Sequence, residues 1–224
     1  MKLRLILVLF LIGALLPSLM AQKTPEIEIS DPEAIQLLDK VSKKLEQSYN
    51  YRVDFTFTVD YPGEDSIVSK GHMIQEGEKY LVDLQDQSFT CDGKSVWVHM
   101  IPQKEVQITD VEESSDGFNN PSDFLSIYEK EEFIFGILSA YHNERDKIKE
   151  IEFKPTDTNS EFFKVRIILN ASRLRIDEVI VFYKNGSQFR LQVNQWQTNV
   201  ETTATLFQFD ASKFPDVHIE DLRF

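Results

Sequence analysis

The sequence is poor in the residues that bind metals or form disulfides. Cys91 is the only cysteine in 224 residues, so the chain forms no internal disulfide. A cysteine carrying a lipid anchor would stand at the start of the mature chain, and Cys91 lies far downstream. The four histidines share no ligand spacing; they are His72, His99, His142 and His218. We therefore expect no metal site and no lipid anchor.

The sequence also lacks the short motifs of common enzymes. It has no glycine-rich phosphate loop, no G-x-S-x-G turn and no Cys/His pair at a recognisable spacing. Carboxylates are plentiful, but in so acidic a chain they most often form a solvated surface. We expect no catalytic residue and no cofactor. An enzyme acting on a hydrophobic substrate remains an alternative, and it would need polar residues clustered inside a cavity.

Positive charge is scarce as well. The chain has 24 Lys and Arg residues against 37 Asp and Glu residues, which gives a formal net charge of −13. Nucleic-acid phosphates and anionic lipid headgroups are both held by Lys and Arg. The charge balance therefore argues against a nucleic-acid partner and against adsorption to an anionic membrane.

Long apolar runs are limited to the N-terminus. The charged start Met1–Arg4 is followed by an apolar run from Leu5 to Leu16 and then by Pro17, Ser18 and the small residue Ala21. This order is typical of a signal peptide cleaved after Ala21, and the run is short for a membrane span. We expect residues 1–21 to be a signal peptide and residues 22–224 to form one exported, unanchored domain.

Aromatic side chains, by contrast, are abundant: the chain has 17 phenylalanines and is 12% aromatic. The strand pattern is clearest at residues 51–61, where odd positions are apolar or aromatic and even positions are polar. The odd positions are Tyr51, Val53, Phe55, Phe57, Val59 and Tyr61. One face of this strand therefore needs an apolar partner.

Further strands are predicted on both sides of residues 88–109. Before this stretch lie strands at 66–75 and at 79–85, where Tyr80, Val82 and Leu84 alternate with mostly polar residues. Within it, Asp92-Gly93 predicts a tight hairpin. After it, strands recur from residue 148 to a last strand at 203–209. We expect the 88–109 meander to be the centre on which both β-rich runs pack.

Helices are predicted in two places. Asp31 as N-cap and Pro32 at the first position predict an amphipathic helix to about Ser48. Two short helices, at residues 120–128 and 131–143, would either plug the barrel or form a movable lid. Their apolar residues include Phe124, Leu125, Tyr128, Phe133, Ile137 and Leu138.

Together these elements predict a mainly β fold with some α-helix, in which antiparallel strands curl into a barrel or half-barrel. Its apolar faces could form a filled core, leaving an unrelated binding role. They could equally line a cavity for a hydrophobic ligand. Composition alone does not separate the two.

Several short motifs, in their order along the chain, resemble the LolA family of periplasmic carriers of outer-membrane lipoproteins. The segment from Cys91 to Trp97 resembles the family's DGK-x-x-W core. The other matching segments are Val41-Ser42, Phe55–Phe57, Gly71, Lys79-Tyr80, Glu105-Val106, Pro121–Tyr128, Phe207–Asp210, Phe214-Pro215 and Asp221–Arg223. The resemblance extends over nearly the whole chain after the leader.

The resemblance implies an unclosed antiparallel β-barrel, or half-barrel, with a helical lid over an apolar cavity for lipoprotein acyl chains. It implies a periplasmic monomer that takes acylated lipoproteins from an inner-membrane ABC-type release complex to an outer-membrane acceptor. The wall of this cavity is expected at Tyr51, Val53, Phe55, Phe57, Val59, Tyr80, Val82, Leu84 and Trp97.

The chain departs from the family at one point. Family members often carry a lid-closing Arg where this chain has Glu76-Gly77-Glu78, so no such residue is carried over. A lipid- or lipoprotein-sensing envelope regulator of the same fold is the alternative function. Such regulators usually add a second domain.

Overall fold

A computed structural model describes residues 30–111, 133–143 and 145–223. Its strands form one twelve-stranded sheet in the order β12-β6-β5-β4-β3-β2-β1-β11-β10-β9-β8-β7. All neighbouring pairs are antiparallel except β12 with β6. The strands are β1 Tyr51–Asp60, β2 Ile67–Glu76, β3 Lys79–Leu84, β4 Gln87–Cys91, β5 Ser95–Met100, β6 Glu105–Asp110, β7 Phe133–Asn143, β8 Asp146–Pro155, β9 Phe162–Asn170, β10 Arg175–Tyr183, β11 Gln188–Thr198 and β12 His218–Asp221. The mainly β, unclosed antiparallel barrel is thus the observed fold.

Helix α1, Pro32–Glu46, precedes the sheet as predicted. The Asp31 side chain caps it by accepting a hydrogen bond from the Glu33 N–H at 2.8 Å. Its apolar stripe, Ala34, Leu38 and Val41, is buried in the main core. We call the side of the sheet that shares this core the helix face.

Strand β1 lies at the middle of the sheet. It pairs with β2 along one edge and with β11 along the other, so it joins the meander β1–β6 to the meander β7–β11. The predicted strand at 51–61 is confirmed. The expectation that residues 88–109 form the centre is wrong, because β4, β5 and β6 lie in one wing of the sheet. The first strand of a meander pairs with only one neighbour inside that meander, so its other edge stays open. Here the open edge of β1 pairs with β11, which places β1 at the centre of the sheet.

The Asp92-Gly93 hairpin between β4 and β5 is confirmed. Gly93 has a φ of 90°, a conformation that costs glycine little. The Asp92 carboxylate accepts hydrogen bonds from the backbone N–H groups of Lys94 and Ser95, each at 2.9 Å. The turn therefore holds itself together, independently of the rest of the sheet.

The helix predicted at 131–143 is wrong: its described residues form strand β7, Phe133–Asn143. Phe133, Ile137 and Leu138 therefore belong to the sheet. Their spacing fits a helix as well as a strand, and hairpin pairing with β8 decides between the two. The other predicted lid residues, Phe124, Leu125 and Tyr128, lie outside the described residues.

The strand predicted at 203–209 is also wrong. Residues 199–217, which we call the strap, cross the other side of the sheet, with short 3-10 turns at Ala204–Phe207 and Ala211–Lys213. The strap starts where the Asn199 N–H bonds the Asn50 carbonyl at 2.9 Å, and after it the His218 N–H bonds the Lys104 carbonyl at 2.9 Å. Phe207 is 1% exposed, so its ring anchors the strap by packing rather than by strand pairing.

The side of the sheet that the strap crosses, which we call the strap face, is charged beyond the strap. On β8 to β11 it carries ion pairs between neighbouring strands. Arg166 lies 3.0 Å from Glu150 and 3.3 Å from Glu152, and Arg190 lies 3.0 Å from Glu178. The sheet thus separates an apolar helix face from a polar strap face.

Gly71 is required by the packing of the central strands. A Cβ at this position would lie 2.5 Å from the Asp83 carbonyl oxygen, 2.8 Å from Leu84 Cδ2 and 3.0 Å from Phe55 Cζ. We expect Gly71→Ala to lower the free energy of unfolding by about 1–3 kcal/mol, measured by urea denaturation, because backbone must move to admit the methyl group. Ser69→Ala on the same strand and face is the control and should change it by less than about 0.5 kcal/mol. Equal stability of the two variants would contradict this packing.

The packing of His99 against the strap predicts that the free energy of unfolding depends on pH. His99 is 5% exposed and packs against the edges of Phe209 and Phe214, and burial lowers its pKa below the usual 6.5. Above pH 6.5 His99 is neutral both folded and unfolded. As the pH drops below 6.5, the unfolded chain takes up a proton on His99 before the folded chain does. The free energy of unfolding therefore decreases as the pH is lowered.

We expect His99→Phe to reduce the fall in unfolding free energy between about pH 7.5 and about pH 5.5, measured in urea. The comparison with wild type is needed because burial also lowers the pKa of His72, which therefore contributes a fall of the same sign. An identical fall in both proteins would show that His99 does not titrate on unfolding.

Candidate ligand-binding face

Seven aromatic rings follow one another across the helix face. Successive ring centroids lie 6.0, 4.6, 6.2, 6.0, 6.1 and 4.7 Å apart, distances typical of aromatic contact. The rings, in spatial order, are Phe57, Phe189, Tyr183, Phe162, Phe133, Phe153 and Phe135. We call them the aromatic row.

Strand register brings these rings together from distant parts of the sequence. Phe189 lies opposite Val59 on β1 and Val181 on β10, so its ring is next to those of Phe57 and Tyr183. Tyr183 lies opposite Phe162 across an irregular register step at the end of β10. Alternation along the strands places the other rings on the helix face, and the irregular step brings Phe162 to that face as well.

The aromatic row is only partly covered. Phe133 and Phe153 are buried, whereas the other five rings are partly buried against the core. Helix α1 starts at the Phe135 end of the row, where the Asp31 N–H donates to the Phe135 carbonyl at 2.8 Å and Glu33 pairs with Lys149 at 2.9 Å. At its other end the Lys44 ammonium donates to the Arg173 carbonyl, beyond the end of β9. The first residue of β9, Phe162, lies at the opposite end of that strand. The rings from Phe162 to Phe57 in the row therefore offer apolar surface away from α1, whereas Phe135 lies beside the start of the helix.

The structure brings most of the predicted wall residues onto the helix face. Phe55 lies in register with Gly71 and Leu84, and the same alignment holds for the neighbouring pairs of β1 and β3. Val53, Phe55 and Val82 are fully buried in the core. The residues of β1 and β3 that share this face are Tyr51, Val53, Phe55, Phe57, Val59, Tyr80, Val82 and Leu84.

Trp97 does not share that face. Its neighbour Val98 packs against the core and lies opposite Phe89, so Trp97 points to the strap face with Thr90 and Ile108. The expectation that Trp97 lines a common wall with β1 and β3 is therefore wrong. In this strand apolar residues stand at both odd and even positions, so alternation could not assign the ring to a side.

Sequence reasoning missed most of the aromatic row. Of its rings, only Phe57 belongs to the wall expected from the sequence, and Phe133 belongs to the expected lid helix. The alternation of Phe189 with Leu191 and Val193 could have indicated an inward ring on β11. No local pattern indicates that Phe162 and Tyr183 meet, because an irregular register step brings them together.

The one phenol in the row is a neutral hydrogen-bonding group. Burial, assisted by the nearby Glu161 and Tyr61, raises the pKa of Tyr183 to about 12. Its hydroxyl therefore stays protonated at any physiological pH and can donate to a carbonyl. It supplies polarity at one point of an otherwise apolar row.

Cys91 is an unreactive group on the same face. It is fully buried, and burial raises the pKa of its thiol. Its Sγ accepts a hydrogen bond from the Gly93 N–H at 3.3 Å and lies 3.6 Å from the Glu78 carbonyl oxygen. A neutral buried thiol is a poor nucleophile, so Cys91 serves packing.

Two further properties concern only the described residues. Among them, His, Cys, Asp and Glu side chains form no group of three that could hold a metal ion. No helix in the same part of the chain has the length and apolar character to cross a membrane.

Solved structures share this fold at low sequence identity. An uncharacterised conserved protein from Thermus thermophilus aligns with a TM-score of 0.58 and 10% identity, over 84% of this chain and 99% of that one. A DUF1329 family protein from Desulfovibrio piger aligns with a TM-score of 0.50 and 9% identity, over 83% and 100%. A LolA superfamily protein from Nitrosomonas europaea has a TM-score of 0.42 and 12% identity, over 79% and 97%.

At the level of sequence, no curated protein matches this chain. The family model described as outer membrane lipoprotein carrier protein LolA, however, matches residues 80–210. That match runs from β3 into the strap and covers more than half of the chain. It includes the Asp92-Gly93 hairpin and every strand that carries the aromatic row except β1. The chain therefore belongs to the LolA family of outer membrane lipoprotein carrier proteins.

Proposed function

We propose that this protein is a periplasmic carrier that shields lipoprotein acyl chains on its helix face while they move from the inner to the outer membrane. The aromatic row is the observation that carries this proposal. It provides a continuous strip of partly covered rings beside a filled core. The family supports a binding and carrying role rather than catalysis.

The energetics favour such a site. An acyl chain in water costs about 0.8 kcal/mol for each exposed CH₂, so a chain of ordinary length needs cover throughout its transit. Flat aromatic rings supply large apolar area without demanding a particular chain length. The Tyr183 hydroxyl could donate to an ester or amide carbonyl where the chain meets its headgroup.

Location and partners follow from the family and the leader. We propose that residues 1–21 are a signal peptide, that residues 22–224 form the mature domain, and that the domain acts as a monomer. An inner-membrane ABC-type release complex would load it, and an outer-membrane acceptor would receive the lipoprotein. A lipid-sensing regulator would use the same face, so the test must identify what occupies that face.

Photo-crosslinking from Phe57 tests the occupant directly. Phe57 is replaced by a photoreactive phenylalanine analogue in the producing cells, and Thr58, whose side chain points to the other face, is replaced in the same way as the control. We expect acylated lipoproteins to crosslink from position 57 and not from 58, and to disappear when acylation is blocked. Crosslinks to free lipid or to one regulatory protein would favour the sensor. None at all would indicate a filled barrel.

A binding assay with purified protein tests the aromatic row itself. We expect Phe189→Asp to weaken binding of a fluorescent apolar probe by about tenfold or more, because the probe would then be placed beside a desolvated carboxylate. Phe163→Asp is the matched control, since Phe163 is 50% exposed and packs against Phe182 on the strap face. Equal affinity of both variants, with unchanged circular dichroism, would exclude the row as the site.

A further inference from the structure

A cavity lies on the strap face, between the strap and strands β3 to β5. Its volume is about 760 Å³, within the range of small-molecule sites. The sheet itself separates it from the aromatic row. Its floor includes Leu81, Asp83, Ser88, Thr90 and His99, and its roof includes Thr203, Thr205, Leu206, Phe209 and Phe214.

Two buried polar side chains on the floor face this cavity without a protein partner. Thr90 is 6% exposed and His99 is 5% exposed. Within the described part of the chain, neither the Thr90 hydroxyl nor the His99 ring forms a hydrogen bond. The polar atoms of these two side chains are not fully buried, so water or a ligand in the cavity can bond them. Between them they offer donors and acceptors.

The polar floor is ordered by strand register. Asp83 lies directly opposite Ser88, and Ser88 lies directly opposite His99, which makes a transverse polar row on three adjacent strands. Side chains at such positions lie about 5 Å apart. That spacing allows several hydroxyl groups of one small ligand to bond at once.

The roof supplies aromatic faces and edges. The rings of Phe209 and Phe214 are stacked, with centroids 5.5 Å apart and an angle of 11° between their planes. Both meet the His99 ring, at 5.7 Å and 4.5 Å. Floor and roof touch at His99, so a ligand in the cavity beside this contact meets the aromatic rings on one side and the polar floor on the other.

Charge and desolvation narrow the ligand class. The positive charge of Lys213 is paired with Asp210 at 3.7 Å. The remaining charged residues of the lining are one lysine, Lys104, and two aspartates, Asp83 and Asp216, so the cavity does not favour an anion. An acyl chain is disfavoured too, because it would leave His99 and Thr90 unpaired at about 1–3 kcal/mol each. A neutral ring with hydroxyl groups and an apolar C–H side fits both surfaces.

We propose that the cavity under the strap binds a neutral saccharide, whose C–H side packs on Phe209 and Phe214 and whose hydroxyl groups bond Thr90, His99, Ser88 and Asp83. This site is independent of the acyl-chain site, because the two lie on opposite faces of the sheet. A protein with both sites would bind an apolar chain and a sugar at the same time.

The test uses the full-length mature protein with labelled histidines and a panel of neutral mono- and disaccharides, including N-acetylated ones, followed by NMR. We expect at least one sugar to shift the His99 ring signals, which are assigned by their loss in His99→Phe. Thr90→Val should weaken that binding about five- to tenfold, as removal of one hydrogen bond predicts. Thr58→Val, on the same side of the sheet but outside the cavity, should leave it unchanged.

Three results would overturn the proposal. The first is a panel in which no sugar shifts the His99 signals. The second is equal affinity of Thr90→Val and Thr58→Val. The third is displacement of the fluorescent apolar probe by the sugar, because that would place the sugar on the helix face. Failure of the probe to bind at all would bear on the acyl-chain site and not on this one.

Discussion

The pairing of β1 with both β2 and β11 is the constraint on which the rest of the structure depends. Each meander is a run of hairpins that local turns can hold, but only β1 joins the two into one sheet. The strict alternation of β1 sets which side each neighbour presents, because a one-residue slip would invert every side chain. The aromatic row needs this join, since Phe57 comes from one meander and the other six rings come from the second.

The sheet is covered by helix α1 on one face and by the strap on the other. A chain of this size can therefore present an apolar surface on one face and a polar cavity on the other. On the helix face, α1 and the core leave part of the aromatic row open. On the strap face, Phe207 anchors a segment that spans β3 to β5 over a polar floor. Because successive residues of a strand point to opposite faces, Val98 packs against the core while its neighbour His99 lines the cavity under the strap.

Sequence patterns correctly predicted the elements whose structure depends on interactions between residues close together in the sequence. The capped helix α1, strand β1 and the Asp92-Gly93 turn were predicted correctly because each depends on capping, alternation or glycine at positive φ. The errors arose where tertiary structure decides. The apolar spacing of β7 fits both periods, and the strap has strand-like alternation but is held by the packing of Phe207. The wall on β1 and β3 could be foreseen as one face. The aromatic row could not, because it is assembled by register across β1 and the whole second meander.

Partial cover of the aromatic row suits a carrier better than a closed pocket would. Apolar contact is non-directional and roughly proportional to the area buried, so its strength varies gradually as a chain slides along the rings. A chain can then leave in steps, each costing about 0.8 kcal/mol per CH₂, and an acceptor with a greater apolar area can take it without breaking specific bonds. The neutral Tyr183 hydroxyl adds one directional contact that can fix an end of the chain. Under the proposed function, retention and release would therefore depend on how much of the row the acyl chain covers.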